Sequence, residues 1–504
     1  MTKILTSDIS KLKEIKKKYK KIVLAHGVFD LLHIGHLRYL KKAKSFGDCL
    51  IVSVTNDINV NKGINRPFFN ERLRMEAISQ LECVDYVILS EEKTSEKIIL
   101  NLKPNIYVKG NDYKQPSHDQ IKNYKIESKA LKKIKGSFKI IDDINFSSSK
   151  ILNSNFDKLN KEQKEILQNI ITKNKFNFEK ITQNKINKKI LIIGDIIIDQ
   201  FIFTQSLGKS RKNNIISTRF ERKEIYDGGS LMIAKILSEY FFNVTILTYL
   251  NNEEVSLLRK KYKKINFFNI KNNNKGIVKK TRFVDDYNLT KIFQINENDN
   301  MKFNNKKENE FINKINTLNK DFNDIVVTDF GHGLITSKIC KKINSIKKSK
   351  YINCQANSSN FGYNKFTKYS NAKILTCDED EYRLSLGENF EKLENIIKNN
   401  KNKLKNISKM VITSGKQGSY CIDKNKITFV KSLKINNMID SIGCGDVYFS
   451  YIILFDKLKN MVKFNNKEIM ILCHLAASLH SKYFANSKLI DRIEFIKGLK
   501  SFSA

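Results

Sequence analysis

The 504-residue chain has no tryptophan, only three prolines (Pro67, Pro104, Pro116) and far fewer acidic than basic residues, 52 against 91. The formal charge of +39 that results would ordinarily point to nucleic acid or an anionic membrane. Here the excess is mostly lysine spread along the whole chain among abundant asparagine and isoleucine. That reads as a bias of composition, and a dedicated nucleic-acid function is set aside. Cysteine pairs are missing too. Cys49, Cys83, Cys340, Cys354, Cys377, Cys421, Cys444 and Cys473 form no CxxC and no regular spacing, which excludes a zinc ribbon or a disulfide framework and fits a reducing cytoplasm. No run of about 18 apolar residues occurs. The stretch MTKILTSDISKLKEIKKKYKK lacks the apolar core of a signal peptide. Neither a membrane partner nor export by that route is expected.

What is present suits a globular protein: 41% hydrophobic, 10% aromatic and 28% charged residues. At about 150 residues per domain, the length accommodates roughly three units or two large ones. Short apolar runs at 22–25, 50–54, 86–89, 106–108 and 138–141 read as buried strands. Between the third of these and the one before it, Leu73, Ala77, Ile78 and Leu81 share one helical face. Strands separated by helices predict a parallel sheet with right-handed crossovers. Residues 151–188 turn Lys/Asn-rich around one amphipathic stretch and read as a helical linker. A second α/β series follows at 190–193, 244–247, 325–328, 374–376 and 410–413, with helices at 446–457 and 467–483. The stretch 260–320 has weak periodicity and is the least readable.

After the first strand comes HGVFDLLHIGH, which sets His33 and His36 around Gly35 where a loop enters a helix. A helix N-terminus offers free N–H groups and a positive dipole end to phosphate. Two imidazoles there can donate hydrogen bonds as charge builds on an α-phosphorus. The plain alternative is that both histidines cap or pack the helix. The pieces that follow are VTND, KGINRP, Arg74-Met75, Val84-Asp85, YVKGNDY and FSSSKI. In that order they resemble the cytidylyltransferase-like nucleotidyltransferases, closest to the adenylyltransferase half of the bifunctional heptose 7-phosphate kinase/heptose 1-phosphate adenylyltransferase family.

The resemblance implies a Rossmann-like domain over 1–150. By it, His33 and His36 contact the nucleotide phosphates and stabilise the transition state. Lys62 and Arg74 add positive charge on the triphosphate and the departing pyrophosphate. Ser147, Ser148 and Ser149 hydrogen-bond phosphate or nucleotide, Lys109, Gly110 and Asp112 shape the nucleotide end, and Gly27 and Phe29 belong to the same site. The implied reaction is attack of a sugar-phosphate oxygen on the α-phosphorus of an NTP, ATP being favoured and CTP the alternative. Such a step needs positioning and charge neutralisation, with Mg²⁺ as counter-charge, more than a protein nucleophile.

Near the C-terminus, DSIGCGD (residues 440–446) leads into an apolar helix. Glycines before a helix expose consecutive N–H groups as an anion hole, and a carboxylate at the helix start can accept a hydroxyl proton. The alternative is an ordinary glycine-rich helix entry with Asp446 as N-cap. Around it stand Gly194-Asp195 with Asp199, Asp227-Gly228-Gly229, TDFGHG, and Thr413-Ser414-Gly415 with Gly418. The set resembles the ribokinase-like sugar kinases over 189–504. The resemblance implies Asp446 as general base and Gly443, Cys444 and Gly445 as anion hole. Thr413, Gly415 and Gly418 would line the ATP site, and Asp195, Asp199, Gly228 and Gly229 would hold the sugar. Asp378 and Glu381 would act indirectly on Mg²⁺.

The sugar end departs from that family. GGAAN becomes Gly229-Ser230-Leu231-Met232, SPEAPVPV becomes SRKNNII, the lysine of DYGKG becomes His332, VDPKG becomes NCQANSSN, and NxxE becomes DEDE. Two readings stay open. One is a kinase whose substrate is not the usual heptose 7-phosphate, beside a nucleotidyltransferase that makes an NDP-sugar. The other is a monofunctional nucleotidyltransferase with an inactive, sugar-binding kinase fold. A basic nucleic-acid or scaffold module is the rival from another class. The transferase-first order is the reverse of the heptose enzyme, so each domain is expected to fold on its own. The resemblance allows a homodimer, although no exposed apolar helix marks an interface.

Overall fold

Apolar runs too short for helices, set between longer amphipathic stretches, fold as parallel strands buried on both faces. The computed structural model describes residues 4–5, 9–60, 66–110, 118–141, 161–172, 185–210, 213–272, 276–358, 360–404, 406–424, 426–433, 438–462 and 464–501. Lys62, Asp112, Ser147, Ser148 and Ser149 lie outside these residues. The chain divides near Lys158 into two compact units.

The first unit holds β1 (Ile4–Leu5), β2 (Ile22–Gly27), β3 (Cys49–Thr55), β4 (Tyr86–Ser90), β5 (Ile106–Lys109) and β6 (Ser137–Ile140). They form one sheet in the order β1-β4-β3-β2-β5-β6, with every pairing parallel. The period of two along each strand splits its side chains between two cores. Val23, Ala25, Leu50, Val52 and Val54 point to one, and Ile22, Leu24, Cys49 and Ile51 to the other. Helix Ile34–Lys44 starts just beyond the carboxyl end of β2 and helix Glu71–Ser79 precedes β4. The five predicted strands and this helix are all present, with the predicted helix shortened at its C-terminal end.

In the second unit, β7 (Ile186–Gly194) is followed by β8 (Ile196–Lys209), β9 (Ile216–Gly228), β10 (Phe241–Leu250), β11 (Asn266–Lys271), β12 (Val278–Asp285) and β13 (Lys291–Glu297). Then come β14 (Asp324–Asp329), β15 (Ser349–Cys354), β16 (Ala372–Asp378), β17 (Ile407–Ser414), β18 (Gly418–Asp423) and β19 (Lys426–Lys431). The main sheet runs β11-β10-β7-β14-β15-β16-β17-β18-β19, parallel through β17 and antiparallel after it. A separate four-stranded sheet, β13-β12-β8-β9, takes two of its strands, β12 and β13, from the stretch 260–320 that is least readable in the sequence. Its buried Phe201, Phe203 and Val284 pack with Ala485, Ile442 and Phe484, which ties this sheet to the loop before helix Cys444–Val462. The helix expected within 151–188 runs Lys161–Thr172 and packs on this unit. Leu167 and Ile170 are buried, and Gln163 Nε2 donates to the Lys431 carbonyl at 2.8 Å.

Candidate active sites

In the first unit, His33 is both an active-site candidate and a cap. It is the N-cap of helix Ile34–Lys44, and its Nδ1 accepts from the Gly35 N–H at 3.2 Å. The His33 and His36 rings stack at 3.9 Å between centroids, and Phe29 meets His36 edge-on at 5.4 Å. Phe29 adopts φ 48° and is buried, with its ring close against Gly27. The two imidazoles are thereby fixed at a helix N-terminus, the geometry that suits phosphate. The cap engages Nδ1 of His33.

Arg74 stands differently from the expectation of a charge laid on the triphosphate. Its fully buried guanidinium donates to the carbonyls of Phe69 (2.9 Å), Val28 (2.5 Å) and Thr55 (2.8 Å) and pairs with Asp57 (2.6 Å). It ties together the loops after β2 and β3. Lys109 is also buried, 3.7 Å from Glu127 and over the Tyr107 ring, and it is followed by half-buried Gly110. Against the cost of burial, Lys109 and the Ser95 donors hold the Glu127 carboxyl below its usual range. Burial and then Lys109 push the His26 imidazole down to about 3, so it is neutral, with Nδ1 3.0 Å from Ser53 Oγ. Sequence reasoning passed over Asp30. It is buried, pairs with Arg66 at 2.5 Å, and accepts from the Phe68 and Phe69 N–H groups at 2.6 and 3.0 Å, anchoring the segment 66–69.

In the second unit, a cavity of about 270 Å³ is lined by Asn353, Gln355, Asp378, Glu381, Thr413, Gly443, Gly445 and Asp446, among others. Asp446 lies on the first turn of helix Cys444–Val462. Burial, and then the Asp199 charge, raise its carboxyl to about 7, against a hydrogen bond from Gln355 that lowers it. Gly443 has φ 79°, and a Cβ there would run into Asn486, His480 and Met232. Only glycine fits this turn. Cys444 departs from the expected anion hole, because its N–H turns back to the Ser441 carbonyl at 3.2 Å. Its thiol is pushed up to about 12 by burial and then Asp440. Thr413, next to the last residue of β17, is in register with Asp378, while Gly415 and Gly418 shape the turn into β18.

At the sugar end, burial and then the Asp329 charge raise Asp195 to about 7. Asp199 pairs with Arg282 at 2.5 Å, and its Oδ2 lies so close to Gly228 that a Cβ there would collide. Gly229 opens helix Gly229–Tyr240 at φ 56°. Lys280, on β12 beside Asp199, is held below its usual range by burial, with the charges of Asp199, Arg282, Asp446 and Asp195 all bearing on it. Neither Arg282 nor Lys280 was singled out from the sequence, where each is one cation among many.

Residues 24–154 match the cytidylyltransferase-like family, and residues 187–454, over half of the chain, match the pfkB family of carbohydrate kinases. The chain belongs to the pfkB family. Among curated proteins, bifunctional protein HldE of Geobacter metallireducens is 46% identical over 100 residues, 19% of this chain and 20% of that protein. HldE of Helicobacter pylori is 47% identical over 104 residues, 20% of this chain and 22% of that one. This chain therefore spans about a fifth of the length of the curated relatives it matches. Escherichia coli phosphofructokinase-2 in complex with substrates and products is 11% identical, covering 63% of this chain and 100% of that one at a TM-score of 0.49.

A pfkB kinase handles ATP, whose phosphates ordinarily carry Mg²⁺. Asp378 and Glu381 form a closed capping box: Glu381 accepts from the Asp378 N–H at 2.7 Å and the Ala356 N–H at 2.8 Å, and Asp378 accepts from the Glu381 N–H at 2.7 Å. With both Glu381 oxygens so engaged, the pair could meet an ion only through its water shell. Burial, and then Asp378, lift the Glu381 carboxyl to about 8. Among the described residues no three His, Cys, Asp or Glu side chains cluster as direct metal ligands, and no helix is long and apolar enough to cross a membrane.

Proposed function

We propose that the protein is a bifunctional enzyme of activated-sugar biosynthesis. Its first unit transfers a nucleotidyl group from an NTP, ATP in preference to CTP, to a sugar 1-phosphate with release of pyrophosphate. Its second unit phosphorylates a sugar or sugar phosphate with ATP. The observation that carries the reading is the raised, buried Asp446 on the first turn of a helix, beside the Gly443 turn, facing a cavity of about 270 Å³. A carboxyl near 7 is matched to accepting a hydroxyl proton at neutral pH. The stacked His33–His36 pair at a second helix N-terminus supports the nucleotidyl half.

In the first unit, His33 and His36 would receive the α-phosphate, with Arg74 and the Asp30–Arg66 pair positioning the loops around them. Lys62, Asp112, Ser147, Ser148 and Ser149 would complete that site. In the second, Asp195, Asp199, Gly228 and Gly229 would hold the sugar while Thr413, Gly415 and Gly418 border the nucleotide. Mg²⁺, when bound, supplies counter-charge to the nucleotide phosphates, and Asp378 and Glu381 would hold its water shell. A reducing cytoplasm suits the eight free thiols.

The test is pyrophosphate release by the full chain with Mg²⁺, heptose 1-phosphate and ATP or CTP in parallel, and ADP release with ATP and heptose 7-phosphate. His36→Ala is expected to lose the first and Asp446→Asn the second. An Asp446→Asn protein that phosphorylates as fast as the parent would sink the general-base assignment. A parent that releases no ADP with heptose 7-phosphate or with any other sugar or sugar phosphate offered would favour the inactive-kinase reading, which the rewritten sugar end supports.

A further inference from the structure

In the stretch that departs from the VDPKG pattern, two side-chain amides meet the catalytic carboxylate. Gln355 Nε2 donates to Asp446 Oδ1 at 3.2 Å, and Asn353 Nδ2 lies 3.5 Å from the same oxygen. The Asn353 amide is oriented from behind, and the Gln355 backbone is anchored. The Asn353 carbonyl oxygen accepts from Thr376 Oγ1 at 3.0 Å, which turns its NH₂ group toward Asp446. Gln355 is pinned through its backbone, its N–H on the Asp329 carbonyl and its carbonyl on Asn364 Nδ2, both at 2.8 Å. Its amide also borders the anion-hole glycine, 3.9 Å from where a Cβ on Gly445 would stand. Among the described residues no side chain donates to Asp446 Oδ2.

We propose that Gln355, backed by Asn353, is the positioning residue of Asp446: the two amides hold Oδ1, so that Oδ2 is the oxygen that takes the sugar hydroxyl proton. The inference rests on the reading of the second unit as an active kinase. In the step it serves, the substrate O–H bond breaks and its proton goes to Oδ2. The oxygen forms a bond to the γ-phosphorus of ATP, and the bond from that phosphorus to the β–γ bridging oxygen breaks, its electron pair leaving with ADP. A hydrogen bond to the ionised carboxylate also favours ionisation. It opposes the burial and the Asp199 charge that raise Asp446 to about 7, alongside Lys280. Glu381 and the Cys444 thiol also sense the Asp446 charge from the facing helix and the same turn. Without Gln355 the carboxyl would stay protonated to higher pH.

The experiment compares the full-length parent with Gln355→Met, which keeps length but no donor, and with Asn353→Leu as a second variant. ADP release with ATP, Mg²⁺ and heptose 7-phosphate is followed from about pH 6 to about 9, a range that spans the Asp446 midpoint. Protonation of Asp446 is read independently by infrared difference titration, its band identified by loss in Asp446→Asn. Gln355→Met is expected to lower kcat by about tenfold, the scale of one hydrogen bond to an ionised group, with KM for ATP unchanged. The rising limb of kcat and the infrared midpoint should both move to higher pH, and Asn353→Leu should move them less. A lowered kcat with an unmoved infrared midpoint would mean that the amide only packs, and would overturn the proposal, as would an unchanged profile. If the parent releases no ADP, the choice of substrate fails, and the infrared midpoint still decides: a shift in Gln355→Met supports the proposal and its absence overturns it.

Discussion

Asp30 and Arg66 bury their charges together, at 0% and 3% side-chain exposure. Removing one partner of such a pair strands the other, at a cost of about 3 kcal/mol or more. Asp30→Ala is therefore expected to lower the urea midpoint of the first unit's unfolding and to abolish pyrophosphate release, because the Phe68 and Phe69 amides lose their acceptor as well. Asp446 carries the opposite sign. Its carboxyl titrates near 7 in the fold against an ordinary value of 3.8, so the folded protein binds more protons than the unfolded chain between those values. Its contribution to stability falls as pH rises through that window. Asp446→Asn removes the penalty, so its stability relative to the parent should increase from pH 5 to pH 8, as read by urea midpoints at both. Single residues were the hardest part to read from sequence. Asp30 sits inside the motif that was recognised, yet its partner is 36 residues away, and Gln355 reaches Asp446 across 91.

Elements fared according to how fully they are buried. Strands β3 and β14 are buried at every position, so their apolar runs announce them. The four-stranded sheet does not, since β9 and β13 are exposed over most of their length and their Lys, Arg and Asn residues break the alternation. Its existence follows from pairing across the sheet rather than from any one segment. The entry of helix Cys444–Val462 was legible through its glycines, although the Cys444 amide turned inward. Gly443→Ala tests that entry: at φ 79°, with Asn486, His480 and Met232 crowding the position, a methyl group must displace the turn. ADP release is expected to fall by about a hundredfold or more, on the scale of losing an oxyanion donor, while pyrophosphate release is retained.

For the whole molecule, the two units have separate cores and non-overlapping family matches, 24–154 and 187–454. The α/β class and the transferase-first order were readable because glycine-flanked motifs recur at strand ends. Two sites on two cores predict independent failures: His36→Ala should leave ADP release at the parental rate, and Asp446→Asn should do the same for pyrophosphate release. The four-stranded sheet also reaches the loop that leads into Asp446 through Lys291 on β13, whose ammonium lies 2.7 Å from Asp440. Asp440 is nearly inaccessible and holds the Ser441, Ile442 and Ala485 amides. Anyone transplanting a different sugar kinase's sheet onto this scaffold would inherit that bond as a compatibility requirement. A donor without a cation at position 291 would leave a lone carboxylate at the root of the phosphate loop, and the chimera would lose turnover before its new specificity could be seen.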